Sequence, residues 1–173
     1  MPPGAASADL PTGWRRAWIG LGANLGDARA TLEAACTALA AVSQSRWVGR
    51  SSWYESAPVD ATGPTFLNAV AVLDSGLEPL VLLDALQAIE LSHGRERPYR
   101  NAPRTLDLDL LLYGAATLDA PRLQLPHPRL HQRAFVLAPL VELEPALLLA
   151  QGPAATLLAG LSDQPFRRLA AQA

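Results

Sequence analysis

The sequence predicts an α+β protein built as a ferredoxin-like βαββαβ sandwich, with helices packed on an antiparallel sheet and a C-terminal extension. Three observations support this fold class. Apolar segments of strand length and segments of helical periodicity follow one another in that order. The 173 residues suit one domain with a sizeable core. Half of the residues are hydrophobic and only 17% are charged, which argues against a disordered chain.

The first half of the pattern begins with a short apolar strand at residues 17–21. The turn at residues 22–27 follows, and Asp27 can cap a helix in which Leu32, Leu39 and their neighbours recur at helical spacing. The turn is rich in glycine, and two interpretations stay open for it: an ordinary turn, or a cradle for phosphate. A second strand is expected at residues 47–54.

The second half repeats the arrangement. A third strand is expected at residues 66–73, and Pro79 stands at the favoured first position of a helix that ends by Gly94. A fourth strand is expected at residues 106–113. An apolar helix around residues 136–143 and an apolar C-terminal stretch should then pack on the core.

Composition limits the class of protein further. The formal charge of -2 gives no general attraction to nucleic acid or to an anionic membrane. The single Cys36 excludes an intramolecular disulfide and a cysteine-rich zinc site, and we expect its thiol to be buried and inert. All 14 cationic residues are arginine, so the lysine of a Walker-type phosphate loop is excluded.

The chain ends and the location are expectations from composition alone. Residues 1–15, rich in Pro, Gly, Ala and Ser, should form a flexible tail, and residues 16–173 should form one domain. No apolar run approaches the ~20 residues of a membrane span. The N-terminus does not read as a secretory signal, so a cytoplasmic location is expected.

The stretch from residue 95 to residue 113 carries the most informative chemistry. Four arginines lie in a proline-containing loop: Arg95, Arg97, Arg100 and Arg104. Asp107 and Asp109 follow in the apolar strand, where residues two apart share one face. Carboxylate oxygens are typical Mg²⁺ ligands, and guanidinium groups bind phosphate oxygens through paired hydrogen bonds. The pattern favours a polyphosphate and metal site over a solvated loop beside two strand-edge charges.

Other candidates are weaker when taken alone. His127 stands between two prolines with Arg122 and Arg133 nearby, so it is either structural or part of a second phosphate-contacting wall. Phe66 and Phe135 are either core residues or a clamp on a flat ring, with an amide at Asn68 to read the ring's edge.

Residues 102–114, A-P-R-T-L-D-L-D-L-L-L-Y-G, closely resemble the signature of the 6-hydroxymethyl-7,8-dihydropterin pyrophosphokinase family. Further segments resemble this family in the same order, so that the resemblance covers about residues 17–145. These segments are residues 20–27, 51–58, 66–69, 89–95 and 125–140.

The resemblance implies transfer of pyrophosphate from ATP to 6-hydroxymethyl-7,8-dihydropterin, with AMP as the second product, in folate biosynthesis. It also implies that Asp107 and Asp109 hold two Mg²⁺ ions and that Arg95 and Arg104 contact the phosphates. The positions that it assigns to ATP binding are Gln87, Glu90, Arg97, Arg122, His127 and Arg133. The positions that it assigns to pterin binding are Ser56, Ala57, Val59, Phe66, Asn68 and Phe135.

One departure and two other function classes stand beside this resemblance. Many family members carry Trp-Gly where this chain has Asn101-Ala102, so another residue such as Tyr99 would have to help close the loop. The alternatives are a nucleotide-binding or metal-binding module without catalysis, and an RNA-binding domain, which the acidic net charge disfavours. The expected partners are the two small molecules, with no nucleic acid or membrane, and the expected state is a monomer or weak homodimer.

Overall fold

The computed structural model describes residues 10–57, 65–93 and 106–171. Its elements up to the fifth strand follow the predicted order, with the second strand divided into two. They are β1 (Arg15–Ala23), α1 (Ala28–Ala40), β2 (Ser45–Arg50), β3 (Tyr54–Ser56), β4 (Phe66–Ser75), α2 (Pro79–Ser92) and β5 (Asp107–Tyr113).

The remaining elements are short apart from one helix. They are β6 (Leu118–Asp119), β7 (Gln124–Leu125), a 3₁₀ turn (Leu130–Gln132), α3 (Ala134–Leu143), β8 (Leu148–Leu149), β9 (Gly152–Pro153), α4 (Ala154–Ala159) and β10 (Phe166–Arg168). None of the helices in the described ranges is both long and apolar enough to cross a membrane.

The main sheet is antiparallel and runs in the order β10-β3-β4-β1-β5, with β2 also paired to β4. This order of the core strands confirms the ferredoxin-like prediction. The expected helix cap is also present, because the Asp27 carboxylate accepts a hydrogen bond from the Ala30 amide at 3.1 Å.

The second strand, predicted as continuous over residues 47–54, is divided into β2 and β3. The cause lies at Ser51, which is buried between them. Its hydroxyl accepts a hydrogen bond from the Val70 amide at 2.9 Å, a bond that a strand backbone would otherwise make. The regular pairing with β4 is therefore interrupted after β2, and it resumes at Tyr54 in the short strand β3.

Two apolar clusters cover the two faces of the sheet. α1 and α2 pack on the first face, where Ile19 of β1 and Leu110 of β5 are buried. α3 and α4 pack on the second face with Trp18, Val72 and other residues. The C-terminal part of the chain therefore closes the face that the two core helices leave uncovered.

Cys36 lies in α1 and is only half-buried. Burial nevertheless raises the pKa of its thiol to about 11, so the thiol is protonated at neutral pH.

Candidate active site

The predicted acids lie on the second face of the sheet, above a strip without side chains. Asp107 and Asp109 of β5 point to the same side because they are two residues apart. They stand opposite Gly22 and Gly20 of β1 in the antiparallel register. Since glycine has no side chain, β1 projects none beside the acids. A Cβ atom added at Gly22 would meet Asn68 Oδ1 at 3.2 Å, whereas one added at Gly20 would meet the Leu111 side chain at 3.4 Å, so the sheet is open at Gly22 and covered by Leu111 at Gly20. We call Gly20 and Gly22 the glycine floor.

The two carboxylates suit a cation that shares its coordination with a ligand. Asp109 is exposed and Asp107 is partly buried, while Leu108 between them is buried on the opposite face. Within the described part of the chain, no group of three His, Cys, Asp or Glu side chains could hold a metal ion. A Mg²⁺ ion at the two aspartates would therefore complete its shell with substrate phosphates and water, which is its usual habit in proteins.

Asn68 and Ser56 meet beside the glycine floor. The Asn68 side-chain amide donates to the Ser56 hydroxyl at 2.8 Å, and both residues are buried. Asn68 stands opposite Gly22, and a Cβ atom added to Gly22 would lie 3.2 Å from the Asn68 Oδ1 atom. Gly22 of the glycine floor and the Asn68 amide therefore border the same space above the sheet. Ala57 follows Ser56 and is exposed.

The two predicted stacking rings lie on elements that border this space. Phe66 begins β4, two residues before Asn68, and is partly exposed. Phe135 lies in the first turn of α3, partly packed against the second apolar cluster. The Arg133 guanidinium stands 5.8 Å from the centre of the Phe135 ring. A clamp of the two rings on a flat ligand stays a prediction.

A cavity of about 460 Å³ opens between α2, β5 and the segment around residues 120–128. Five of its lining residues are candidates from the sequence: Gln87, Glu90, Asp109, Arg122 and His127. The sequence did not reveal the leucines of the lining, because leucines at helical or strand spacing are predicted to be core residues. These leucines are Leu83, Leu108, Leu110 and Leu123.

Two polar contacts organise the wall that α2 contributes to this cavity. The buried Glu90 carboxylate accepts a hydrogen bond from the Leu108 amide at 3.1 Å, which ties α2 to β5 next to Asp109. Arg122 donates to Gln87 Oε1 at 3.1 Å and pairs with Asp84 at 2.6 Å. Asp84 had no signal in the sequence beyond its place on the exposed side of α2.

His127 lies near Asp109 in a defined orientation. Its backbone amide donates to the Leu111 carbonyl at 2.9 Å, and its Nδ1 atom accepts from the Arg129 amide at 3.1 Å. Burial lowers the pKa of His127, and Asp109 only partly opposes this. The ring is therefore neutral at pH 7 and carries its proton on Nε2.

Arg133 supplies a positive charge to the same region. Burial lowers the pKa of its guanidinium, and the nearby Asp109 opposes that shift, but an arginine stays cationic at neutral pH. A neutral donor, a cation and two carboxylates around one opening are groups that a polyphosphate with its metal ion requires.

The remaining predicted site residues, Arg95, Arg97, Arg104 and Val59, lie outside the described residues. The same holds for Tyr99 and Asn101, where the sequence departs from the family pattern.

Comparison with known proteins gives a consistent result. Residues 18–145 match the family model of 7,8-dihydro-6-hydroxymethylpterin-pyrophosphokinase (HPPK). Three relatives carry the name 2-amino-4-hydroxy-6-hydroxymethyldihydropteridine pyrophosphokinase. The protein of Pseudomonas aeruginosa is 50% identical over 80% of this chain and 86% of its own length. The protein of Haemophilus influenzae is 44% identical over 77% of this chain and 84% of its own length. The protein of Methylorubrum extorquens is 40% identical over 89% of this chain and 98% of its own length.

Solved structures show the same fold at low sequence identity. A variant of Plasmodium falciparum HPPK-DHPS matches 91% of this chain with a TM-score of 0.71 and 14% identity. An HPPK-DHPS in complex with substrates matches 88% with a TM-score of 0.73 and 12% identity. This chain spans 47% and 44% of those two chains, which is less than half of their length.

Proposed function

The chain belongs to the 7,8-dihydro-6-hydroxymethylpterin-pyrophosphokinase family, and we propose that the second face of its sheet is where it performs the family's reaction. The protein is an ATP-dependent diphosphotransferase of folate biosynthesis. It transfers pyrophosphate from ATP to 6-hydroxymethyl-7,8-dihydropterin and releases the pterin diphosphate and AMP.

One observation carries the assignment of the site. Asp107 and Asp109 stand opposite Gly22 and Gly20, and Asn68 stands on the other side of the same glycine floor. Carboxylates, the ligand type that Mg²⁺ prefers, thus lie on one side of the glycine floor, and an amide with donor and acceptor atoms lies on the other. A pterin whose polar edge meets the amide would direct its hydroxymethyl group toward the acids.

The pterin-binding side consists of Ser56, Ala57, Asn68 and the two rings Phe66 and Phe135. Asn68 donates to Ser56, so the orientation of its amide is fixed before a ligand arrives. Polar groups in a fixed orientation can hydrogen-bond selectively to the edge of a heterocycle, while contacts with the aromatic rings supply the larger part of the buried area. We assign Val59 to the same group by its sequence position.

The ATP-binding side is the cavity of about 460 Å³. Its lining combines leucines that are almost fully buried with Gln87, Glu90 and Arg122, whose polar groups suit hydrogen bonds to a nucleotide. His127 and Arg133 lie near Asp109, where the phosphates would meet the pterin alcohol. We assign Arg95, Arg97 and Arg104 to the phosphates by their sequence positions.

The chemical step depends on position and charge. The pterin hydroxyl attacks the β-phosphorus of ATP in line, and the bond between the β-phosphorus and the oxygen that bridges it to the α-phosphorus breaks. AMP leaves with that oxygen, and the hydroxyl proton is released to solvent. Two Mg²⁺ ions at Asp107 and Asp109, when bound, would neutralise the phosphate oxygens and lower the pKa of the attacking alcohol. The chain itself holds the two substrates in line, the Nε2–H group of His127 donates a hydrogen bond toward a phosphate oxygen, and the Arg133 charge stands beside it.

We expect the partners of the chain to be these two substrates and Mg²⁺, with no nucleic acid or membrane. We expect it to act in the cytoplasm as a monomer or weak homodimer, and residues 16–173 to form one pyrophosphokinase domain.

A coupled assay for AMP tests the function directly. We expect AMP only when ATP, Mg²⁺ and 6-hydroxymethyl-7,8-dihydropterin are all present, with loss of activity on chelation and recovery on adding Mg²⁺. AMP formation that does not depend on the pterin would contradict the proposed acceptor. Binding of Mg·ATP without AMP under all conditions would indicate a binding module in place of an enzyme.

A further inference from the structure

The C-terminal segment, residues 164–169, contacts two of the elements that carry the proposed pterin contacts, β3 and α3. It follows the region that matches the family model, which ends at residue 145. Its strand β10 pairs with β3, which ends at Ser56, and Gln164 bonds to the start of α3, which carries Phe135. The segment thus connects two walls of one site.

β3 depends on this segment for its outer edge. It has three residues, and β4 pairs with one side of it while β10 pairs with the other. The Leu169 amide extends this pairing by donating to the Trp53 carbonyl at 2.9 Å. β10 therefore gives β3 a second hydrogen-bonded neighbour, and Phe166 stands directly opposite Ser56.

A cluster of charged hydrogen bonds links β3 to α3. Glu142 of α3 accepts from the Ser52 amide at 2.9 Å, the Ser52 hydroxyl at 2.5 Å and the Tyr54 hydroxyl at 3.0 Å. Arg168 of β10 pairs with Glu142 at 2.7 Å and donates to the Ser52 hydroxyl at 3.1 Å. Because only 17% of the Glu142 side chain is exposed, Arg168 compensates a largely buried charge.

Gln164 makes the second connection, at the first turn of α3. Its Oε1 atom accepts from the Ala134 amide at 2.9 Å, and its Nε2 atom donates to the Gln132 carbonyl at 2.9 Å. The first amides of a helix lack partners within the helix, so this bond acts as a cap supplied by a distant residue. Arg133 and Phe135 stand on either side of the capped amide.

We propose that Arg168 and Gln164 are positioning residues for the pterin site. Arg168 sets the distance between β3 and α3. On β3, Ser56 would contact the edge of the pterin, and on α3, Phe135 would stack on its ring. Gln164 sets the direction of the first turn of α3. The inference rests on the proposed pterin site, and it assigns a positioning role to a segment that follows the region matched by the family model.

The two residues differ in what their removal should change. Arg168→Met leaves the cavity of the ATP side intact, so the KM for the pterin should rise about tenfold while the KM for ATP stays within about twofold. Gln164→Met should raise both KM values, because Gln164 caps the turn that carries Arg133 of the ATP side and Phe135 of the pterin side. Arg168→Lys retains the charge beside Glu142 and should recover part of the pterin affinity.

Arg167→Met is the matched control. Arg167 lies on the same strand, but its pair with Glu55 is exposed, with 72% of the arginine side chain open to solvent. We expect its kinetic constants to equal those of the wild type. Titration of each variant with the pterin, in the presence of a non-hydrolysable ATP analogue and Mg²⁺, checks binding apart from turnover.

The outcomes separate the inference from the function on which it rests. A lower Tm in Arg168→Met with an unchanged pterin KM would show a structural role only and overturn the proposal. An equal rise of both KM values in that variant would overturn the pterin-specific assignment. Absence of AMP formation by the wild type would instead refute the proposed function.

Discussion

The second face of the sheet carries carboxylates at both of its ends, and their surroundings differ: one carboxylate is buried and paired with arginines, and the other is exposed. At one end Asp74 of β4 is 2% exposed, and Arg16 and Arg46 pair with it at 3.0 and 3.3 Å. Each arginine stands directly across from Asp74 on a neighbouring strand. At the other end Asp109 is exposed and stands across from glycine.

The difference shows how neighbours on the adjacent strands decide the role of an acid in a sheet. Opposite charges directly across a ladder neutralise a buried carboxylate and hold the strands in register. Glycine opposite a carboxylate leaves it open to a ligand and removes the side chain that would occupy the ligand's space. We call the Asp74 end the paired end and the Asp109 end the open end.

Asp109→Asn should have the largest effect at the open end. The substitution keeps the shape of the side chain and removes the negative charge that is proposed to hold the cation and that attracts the nearby Arg133 guanidinium. We expect kcat/KM to fall by about 10²- to 10³-fold or more, with the Tm almost unchanged because the side chain is exposed. Steady-state AMP formation and thermal unfolding measure the two quantities.

Glu33→Gln serves as the control for Asp109→Asn. It removes a carboxylate that is exposed on α1, on the opposite face of the sheet, where it pairs with Arg29. Full activity in Asp109→Asn would contradict the metal assignment, and a strongly lowered Tm would show that the open end is structural after all.

Asp74→Asn should have the opposite signature. It removes the negative charge that pairs with Arg16, whose side chain is only 14% exposed. Breaking a buried pair on one side costs about 3–5 kcal/mol, so the free energy of unfolding should fall by about that amount. Urea unfolding measures it. kcat/KM of the folded enzyme should stay within about twofold, and a large loss of activity at unchanged stability would break the comparison.

The order of the core elements was predictable from the sequence because it depends on periodicity, and periodicity is local. The common face of Asp107 and Asp109 was predictable as well, since residues two apart in a strand point to the same side. Their role as metal ligands stays a prediction. The glycine floor was not, because the role of Gly20 and Gly22 follows from their register with β5 and β4.

Long-range contacts explain the other differences between prediction and structure. The division of the second strand depends on the bond between Ser51 and Val70, which are 19 positions apart. The contact of Arg168 with Glu142 joins a terminal strand to a helix that precedes it by more than twenty residues. Nothing in the local pattern indicates such pairs.

Gly22→Ala tests the floor with a smaller change. A Cβ atom at this position would lie 3.2 Å from the Asn68 Oδ1 atom, closer than an ordinary contact. It would shift the amide and enter the space proposed for the pterin, so the pterin KM should rise about tenfold, and kcat should change less. Gly49→Ala in β2 is the control, because nothing lies within 4 Å of its added Cβ atom. An unchanged pterin KM in Gly22→Ala would show that the floor lies outside the pterin site.

Arg46→Met should have the smallest effect, and it sharpens the comparison within the paired end. Arg46 is 53% exposed where Arg16 is 14% exposed, so water screens its attraction to Asp74. We expect a loss of about 0.5–1 kcal/mol in the free energy of unfolding, with no change in activity. The double variant with Asp74→Asn should then lose little beyond Asp74→Asn alone, because Arg46 has no buried charge left to compensate. Losses that simply add would mean that Arg46 stabilises the sheet by packing its side chain and that Arg16 alone neutralises Asp74.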